Sequence, residues 1–286
     1  MSAGGTIHRG FGLSDLGLRQ TFLTFLSMSK KTVVEFSRYP VSFVATFAQT
    51  LMILAMFMLA AIVFMGSETG LSKLAGIMVY GFILNMFLIF VLWEMGFSIR
   101  EEQYRGTLES LYLSPANKFS NLISRIFAIG SWTIVMVIAA LAVVNYYVGG
   151  LPANDVMLAL FVLFFSITGI LGIGFVVSAI VLRLKESAEL LVNVLQFFFM
   201  IFCAMFFPFY ALPDEILNYV SRWIPLSYSV DSFRSILVGQ TPELIPNIGI
   251  EIVIVVLFGI LSPLIGYFLY KYNERKARLE GSLAEY

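Results

Sequence analysis

Long apolar runs are the feature that most constrains what this chain can fold into. Several of them exceed the roughly 20 residues that an α-helix needs to cross a bilayer. The 286-residue chain is 59% hydrophobic and only 13% charged, whereas soluble globular proteins are about 45–50% apolar and about 25% charged. The sequence therefore predicts an all-α integral membrane protein, with one transmembrane domain over residues 1–286. Its six predicted transmembrane helices are residues 41–65, 74–98, 115–148, 155–182, 188–207 and 248–270.

An amphipathic segment precedes the first predicted span. Residues 13–39 place apolar side chains on one helical face and a polar, largely basic set on the other. This pattern predicts an interfacial helix at the membrane–water boundary. A helix packed on another protein fits the same pattern equally well.

A less regular segment lies between the fifth and sixth predicted spans. Residues 208–239 predict a re-entrant hairpin of two helices that are each too short to cross a bilayer. We expect the first to start at Pro213, with two acidic residues at the positive end of its dipole, and to run to Trp223. The second is expected to start near Ser227 and to be closed by Gly239.

Lysine and arginine mark the cytosolic side of a membrane protein. With six spans, both ends of the chain lie on one side of the membrane. Fifteen of the 18 basic residues lie on this side, and only Lys73, Arg222 and Arg234 lie on the other. We therefore expect a multi-pass protein of the plasma membrane, with both termini cytosolic and the hairpin outside the cell.

The residue types that common catalytic and metal sites require are scarce. Cys203 and His8 are the only residues of their kinds, which argues against a metal site or a Cys/His catalytic pair. Neither a Gly-x-x-x-x-Gly-Lys-Ser/Thr phosphate loop nor a Gly-x-Ser-x-Gly nucleophile elbow occurs. We therefore expect no catalytic residue, no cofactor and no metal in this chain. Its zero formal net charge gives no indication of a nucleic-acid partner.

A few polar and aromatic residues within the spans are candidates for a substrate pathway. Glu94 lies near the inner end of the second span, where a carboxylate usually faces protein or water, although a paired acid at the boundary is the favoured interpretation. Asn193 and Gln196 share one face of the fifth span, where amides also join helices to one another. The bulky residues of that span fit a hydrophobic substrate or an ordinary lipid-facing surface. The aromatic candidates among them are Phe198, Phe199 and Phe202.

The longest charged segment of the chain, residues 100–115, lies between the second and third spans. Gly106 breaks the helix that continues the second span. Thr107 can then cap a short helix, with Glu109 in its favourable first turn. The apolar face of this short helix comprises Leu108, Leu111 and Tyr112. Such a helix is suited to docking on a partner, and a solvated loop is the alternative.

Two motifs resemble those of one transporter family. The run from Glu102 to Pro115, with an acid, then Gly-Thr-Leu-Glu, then Ser-Pro, resembles the signature of type-2 ABC exporter permeases. The run from Trp223 to Arg234, with Trp-Ile-Pro-Leu-Ser-Tyr at its start, resembles the outer hairpin of that family. The resemblance covers nearly the whole chain, and the branch that it resembles most is that of drug and lipid exporters.

The resemblance implies a permease subunit of an ATP-driven exporter that moves a hydrophobic or amphipathic substrate. It implies that two permeases pair, as a homodimer in our expectation, and that each contacts a separate subunit, which binds ATP and Mg. A coupling helix at residues 106–113 would fit into a groove of that subunit, and the helix at residues 13–39 would be a second contact. The expected coupling residues are Glu102, Gly106, Thr107, Leu108, Glu109 and Leu111.

Three alternatives remain open at this level. A permease for a polysaccharide or teichoic acid would belong to the same family. An integral-membrane enzyme acting on lipids would need ionisable groups that converge near one interface, and Glu94 is the obvious one. A membrane anchor or sensor subunit would not need a short helix at residues 106–113 that moves.

Overall fold

The computed structural model describes residues 26, 30, 34, 38, 40–65, 71–104, 118–181 and 187–279, and this part of the chain is helical without any strand. The α-helices are α1 (Pro40–Met65), α2 (Leu71–Tyr104), α3 (Lys118–Val148), α4 (Val156–Val181), α5 (Ala188–Phe202), α6 (Asp214–Tyr219), α7 (Pro225–Val238) and α8 (Ile248–Leu279). Two short 3-10 turns, Phe209–Ala211 and Ser221–Trp223, flank α6. Of the segment at residues 13–39, the four described positions, Leu26, Lys30, Val34 and Arg38, are helical and exposed.

Three helices in the described part of the chain are long and apolar enough to cross a membrane. They are Lys73–Met95 within α2, Val156–Val181 and Ile248–Asn273 within α8. Shorter apolar stretches, Phe47–Leu59, Thr133–Val148 and Ala188–Phe202, lie where the other three spans are predicted. The predicted helical membrane architecture is therefore confirmed, whereas the count of six spans stays a prediction.

Helix α2 forms the centre of the structure. Most of its residues from Leu74 to Met95 are buried, and it packs against α1, α3, α4, α5 and α7. Apolar residues occur around its whole circumference, which is typical of a helix enclosed by others. Because α2 contacts so many helices, a displacement of its ends would also shift the helices that pack against it.

Helices α4 and α8 form the most extensive pairing. A Cβ atom at Gly172 would overlap the backbone of Ser262, and one at Gly169 would overlap the ring of Phe258. Small residues let membrane helices approach closely, and the Ser262 hydroxyl donates a 2.9 Å hydrogen bond to the Gly169 carbonyl. The glycines of α4 therefore serve its close packing against α8.

Several predicted boundaries differ from the structure. Helix α2 runs to Tyr104 rather than to residue 98, and α8 runs to Leu279 rather than to residue 270. At 34 and 32 residues, and about 1.5 Å of rise per residue, both are longer than the roughly 30 Å hydrocarbon layer. Both helices continue through the charged residues of their last turns. These turns lie beyond the apolar layer, where charged side chains do not end a helix. Residues 115–117 of the third predicted span lie outside the described residues.

The hairpin between α5 and α8 has two unlike arms. Helix α6 ends at Tyr219 instead of continuing to Trp223, because Val220 leaves the helical conformation and a 3-10 turn follows. Helix α7 is buried over every residue from Leu226 to Val238. It ends at Gly239 with φ 73°, a left-handed conformation that favours glycine. The predicted cap at Gly239 is confirmed, and the position of the hairpin outside the cell stays a prediction.

Candidate functional site

The two polar pathway candidates on different spans lie in one seam between α2 and α5. The indole Nε1 of Trp93 donates a 2.9 Å hydrogen bond to the Gln196 Oε1. Glu94 follows Trp93 directly and is half-buried, as is Asn193, one turn before Gln196. The structure therefore brings the inner part of α2 and the amides of α5 together. Gln196 joins two helices, which is the alternative role that the sequence left open.

Helix α5 presents an apolar face that the other described residues do not cover. Phe198 is exposed, and its ring lies 5.4 Å from that of Phe199 and 4.8 Å from that of Phe202. Phe199 and Phe202 are half-buried, and Phe199 packs against the core. The exposed apolar residues of the helix recur at helical spacing and are Leu190, Val194, Phe197, Phe198 and Ile201. The aromatic candidates thus divide between this face and the core.

The expected coupling residues lie at and beyond the end of α2. Glu102 is in the last described turn of that helix. The remaining five, Gly106, Thr107, Leu108, Glu109 and Leu111, lie outside the described residues. Helix α4 holds α2 close to this end, because the Ser178 hydroxyl donates a 2.8 Å hydrogen bond to the Met95 carbonyl.

A group of charged residues that the sequence interpretation missed is buried between α5, α7 and α8. We define the outer charged cluster as Asp231, Arg234, Glu243 and Glu251. Arg234 is 2% exposed, Asp231 is 2% exposed and Glu251 is fully buried. Asp231 and Arg234 lie one turn apart on α7, and Glu251 lies in the first turn of α8. Charges inside an apolar protein are costly unless they are paired or hydrogen-bonded.

Arg234 determines where α5 ends. Its Nη2 donates a 2.7 Å hydrogen bond to the Met205 carbonyl, and its Nη1 donates a 3.1 Å bond to the Phe207 carbonyl. These carbonyls leave the helical direction, and Ala204 has φ 48°. The predicted fifth span at residues 188–207 is therefore wrong at its end, because the helix stops at Phe202.

A glycine on α2 makes room for this arginine. A Cβ atom at Gly81 would overlap both the Nη2 of Arg234 and the carbonyl oxygen of Met205. The guanidinium therefore lies directly against the backbone of the central helix. The count of lysine and arginine residues places Arg234 on the predicted outer side of the membrane. In the structure its side chain is buried instead of exposed to solvent.

The two acids on α7 and α8 are held by consecutive backbone amides. The Leu244 N–H donates a 2.7 Å hydrogen bond to the Asp231 Oδ2. The Ile245 N–H donates a 3.1 Å bond to the Glu251 Oε1. Glu243, immediately before them, accepts a 2.9 Å bond from the Tyr210 N–H at its Oε2. The loop before α8 thus holds Asp231 and Glu251, and the 3-10 turn after α5 holds Glu243.

Burial shifts the ionisation of the cluster outside the predicted spans. It raises the pKa of Asp231 and that of Glu243 above their ordinary values. It lowers the pKa of Arg234 to about 10, so this side chain stays charged at neutral pH.

The comparison with protein families decides the class of this membrane protein. The family model described as ABC-2 type transporter matches residues 24–238 of the chain, which is more than half of its 286 residues. The chain belongs to the ABC-2 type transporter family. A search of curated proteins finds no match.

Membership identifies this ABC-2 protein as a multi-pass membrane protein and a permease subunit of a type-2 ABC transporter. Permease domains of the family are transport components that work with a separate ATP-binding subunit. The match contains both resembling motifs, at residues 102–115 and 223–234. It ends at the last residue of α7, so Glu243 and Glu251 lie beyond it.

The buried ionisable groups of this ABC-2 permease bear on the alternative of a lipid-modifying enzyme. That alternative requires ionisable side chains that converge near one interface, and the outer charged cluster is such a convergence. Asp231, Arg234 and Glu251 are, however, at most 2% exposed, and their hydrogen bonds go mainly to backbone atoms. The sequence signal for this cluster was the i, i+3 pair on α7 together with an acid at the start of an apolar run.

Proposed function

We propose that this permease is the membrane subunit of an ATP-driven exporter of hydrophobic or amphipathic molecules. Two copies form the pathway, and a separate ATP-binding subunit on each copy binds and hydrolyses ATP. The chain itself supplies no catalytic group, cofactor or metal to that reaction. Family membership supports the transport role, and the surface of α5 supports the substrate class.

The observation that carries the substrate class is the pairing of two unlike surfaces on α5. One is the uncovered apolar face that includes Val194, Phe198 and Ile201. The other is the half-buried amide side with Asn193 and Gln196, which lies against α2. A molecule with an apolar body and a polar end can contact both. Exposed aromatic and flexible apolar side chains suit substrates of varied shape.

Coupling to ATP hydrolysis takes place at the inner end of α2. The residues that dock on the ATP-binding subunit are Glu102, Gly106, Thr107, Leu108, Glu109 and Leu111. Helix α2 connects this end to the seam with α5 and to Gly81 under Arg234. Movement of the docked segment therefore reaches α5 through one continuous helix. The helix predicted at residues 13–39 makes a second contact with the same subunit.

Aromatic side chains support the proposed placement of the chain in the plasma membrane. Tyr146, Tyr147 and Trp223 are exposed at ends of the described helices that are predicted to be outside. On α8, Tyr272 is exposed and Lys271 lies 5.9 Å from the ring of Tyr267, close to the predicted cytosolic C-terminus. Tyrosine and tryptophan favour membrane interfaces. The 20 residues from Ile248 to Tyr267 span about 30 Å as a helix, which matches the roughly 30 Å of a hydrocarbon layer.

The test is ATP hydrolysis by the permease purified with its ATP-binding subunit and reconstituted in lipid nanodiscs. Amphipathic drugs and lipids should raise the ATPase rate in a saturable way. Soluble oligosaccharides and teichoic-acid fragments should not. Stimulation by the glycans alone would replace the proposed substrate class with the polysaccharide alternative. Failure to bind any ATP-binding subunit would overturn the transport role itself.

A further inference from the structure

The outer charged cluster contains more buried negative charge than positive charge. Arg234 is the only fully buried cation that the described residues place in it, whereas Asp231 and Glu251 are both almost completely buried carboxyl groups. Glu243 adds a third, half-buried acid. Isolated ionised carboxylates are very costly in a low-dielectric interior. One arginine balances one of the two fully buried acids and leaves the other without a compensating charge.

The geometry places the two buried carboxyl groups side by side. The amides that hold them belong to the consecutive residues Leu244 and Ile245, so the carboxyl groups of Asp231 and Glu251 are neighbours. The Glu251 Oε2 is buried and has no hydrogen-bond partner among the described residues. Two adjacent carboxylates do not both ionise readily. A proton on one of them is the donor that this oxygen lacks.

We propose that Asp231 and Glu251 form a proton-binding site that holds one shared proton at neutral pH and links α7 to the first turn of α8. This inference concerns the resting protein and does not depend on the substrate proposed above. The proton removes one negative charge and supplies the hydrogen bond between the acids. Its loss leaves two carboxylates in contact, which repel each other and loosen α7 from α8.

A proton fits this site better than a metal ion. Metal sites for hard cations use about six or more oxygen ligands, and the acids here already accept backbone hydrogen bonds. In the described part of the chain, no three His, Cys, Asp or Glu side chains are placed to hold a metal ion together. The two carboxyl groups can therefore share a hydrogen bond, but they do not supply the coordination shell of a metal ion.

Several elements packed around the pair carry other titratable and charged groups. Helix α4 is an exception, because it carries no ionisable side chain between Val156 and Val181. The groups on the remaining elements are Arg234 and Tyr228 on α7, Cys203 after α5, Tyr210 and Arg222 in the hairpin, Glu243 before α8, and Tyr80 on α2. Burial raises the pKa values of Tyr210 and Tyr228, and Arg234 keeps its charge. The acids of the pair are therefore the groups expected to titrate first above neutral pH.

Infrared difference spectroscopy of the purified permease tests this directly. At neutral pH, the wild-type protein should show the C=O stretch of a buried protonated carboxyl group, and exchange into D₂O should shift it. The band should be lost or displaced in Glu251→Gln and in Asp231→Asn. It should persist in the matched control Glu215→Gln, which changes an exposed acid on α6. If the variants do not fold, carboxyl-¹³C labelling of glutamate or of aspartate shifts the same band in the wild-type protein.

Two results would overturn the proposal. One is the absence of any protonated carboxyl band at neutral pH, or a band that survives both substitutions and both labels. The other is a band that appears only when Na⁺ is replaced by choline, because a bound cation would then neutralise the pair.

Stability against pH supplies a second readout of the same proton. The folded chain holds a proton that the unfolded chain releases above the ordinary carboxyl pKa of about 4. The stabilisation is therefore complete below that pH and is lost as the pH rises through the folded-state value. The unfolding midpoint of the wild-type protein should fall as the pH rises from 6 to about 9. The fall should be clearly smaller in Glu251→Gln, and an equal fall in both proteins would contradict the shared proton.

Discussion

Helices α5 and α7 are of similar length and are separated by α6 and its two flanking 3-10 turns, yet they differ in what covers them. Helix α5 has 15 residues, nearly all apolar, and only Ala188 and Val192 are buried. Helix α7 has 14 residues, with four serines, an aspartate and an arginine, and 13 of them are buried. In a membrane, the outside of a protein is apolar and its interior can be polar if every polar group finds a partner. The apolar character of a helix therefore does not show whether the rest of the protein buries it, because the apolar α5 is largely unburied and the more polar α7 is buried.

The largest expected effect concerns the polar interior around α7. Arg234→Met should leave the carbonyls of Met205 and Phe207 without donors and Asp231 without a balancing charge. Removing one member of a buried charge pair costs about 3–5 kcal/mol. Thermal unfolding of the purified permease should show a large drop in its midpoint, whereas Arg222→Met, at an exposed position, should leave it nearly unchanged. Equal unfolding midpoints of the two variants would contradict the view that the buried charges around α7 stabilise the protein.

A smaller loss should follow from filling the space that α2 leaves for the arginine. Gly81→Ala places a methyl group on Arg234 and on the Met205 carbonyl, and overpacking typically costs about 1–3 kcal/mol. Gly130→Ala on α3 is the matched control, because a Cβ there meets nothing within 4 Å. The control should be neutral or slightly stabilising, since alanine favours a helix over glycine by up to about 1 kcal/mol. An unchanged stability of the Gly81→Ala protein would show that the Arg234 side chain can adopt another conformation.

The seam between α2 and α5 should contribute less. Gln196→Leu and Trp93→Phe each remove the 2.9 Å hydrogen bond between the two side chains. Interhelical hydrogen bonds in membranes contribute about 0.6 kcal/mol on average and up to about 1.7. A double-mutant cycle on unfolding free energies should give a coupling in that range. A coupling near zero would mean that the seam is held by packing alone.

The smallest stability effect is expected on the uncovered face of α5. Phe198→Ala should change the unfolding midpoint little, because Phe198 is exposed. Phe164→Ala on α4, also at an exposed phenylalanine, is its control. Only Phe198→Ala should weaken the substrate-stimulated ATPase rate of the assembled transporter, by about 10-fold to 200-fold if one apolar contact of about 1–3 kcal/mol is lost. Identical ATPase responses of both variants would place the substrate elsewhere.

The sequence was sufficient for the parts of the fold that depend on local pattern. Long apolar runs predicted α2, α4 and α8, and Gly239 marked the end of α7 because a left-handed residue was needed there. The motif at Trp223 to Arg234 predicted the family, which the match over residues 24–238 confirms.

The parts that the sequence did not reveal depend on partners far away in the chain. No turn residue interrupts the apolar run after Phe202, and the turn there is imposed by Arg234, about 30 residues later. The charges of α7 are typical of a membrane surface, and they are buried because Leu244 supplies a backbone partner to Asp231 and Phe207 supplies one to Arg234. Nothing in the sequence around Glu251 indicates that it lies beside Asp231 in the fold. Pattern gives the helices, whereas the pairing of buried polar groups requires three-dimensional contacts.

The most direct test of the transport account is substrate-stimulated ATP hydrolysis by the permease assembled with its ATP-binding subunit. A double variant, Leu108→Glu with Leu111→Glu, changes the apolar face that is proposed to dock on that subunit, and Leu113→Glu, off that face, is the control. The account predicts that the double variant inserts into the membrane but loses stimulation, while the control keeps most of it. Normal stimulation of the double variant would contradict the proposed coupling.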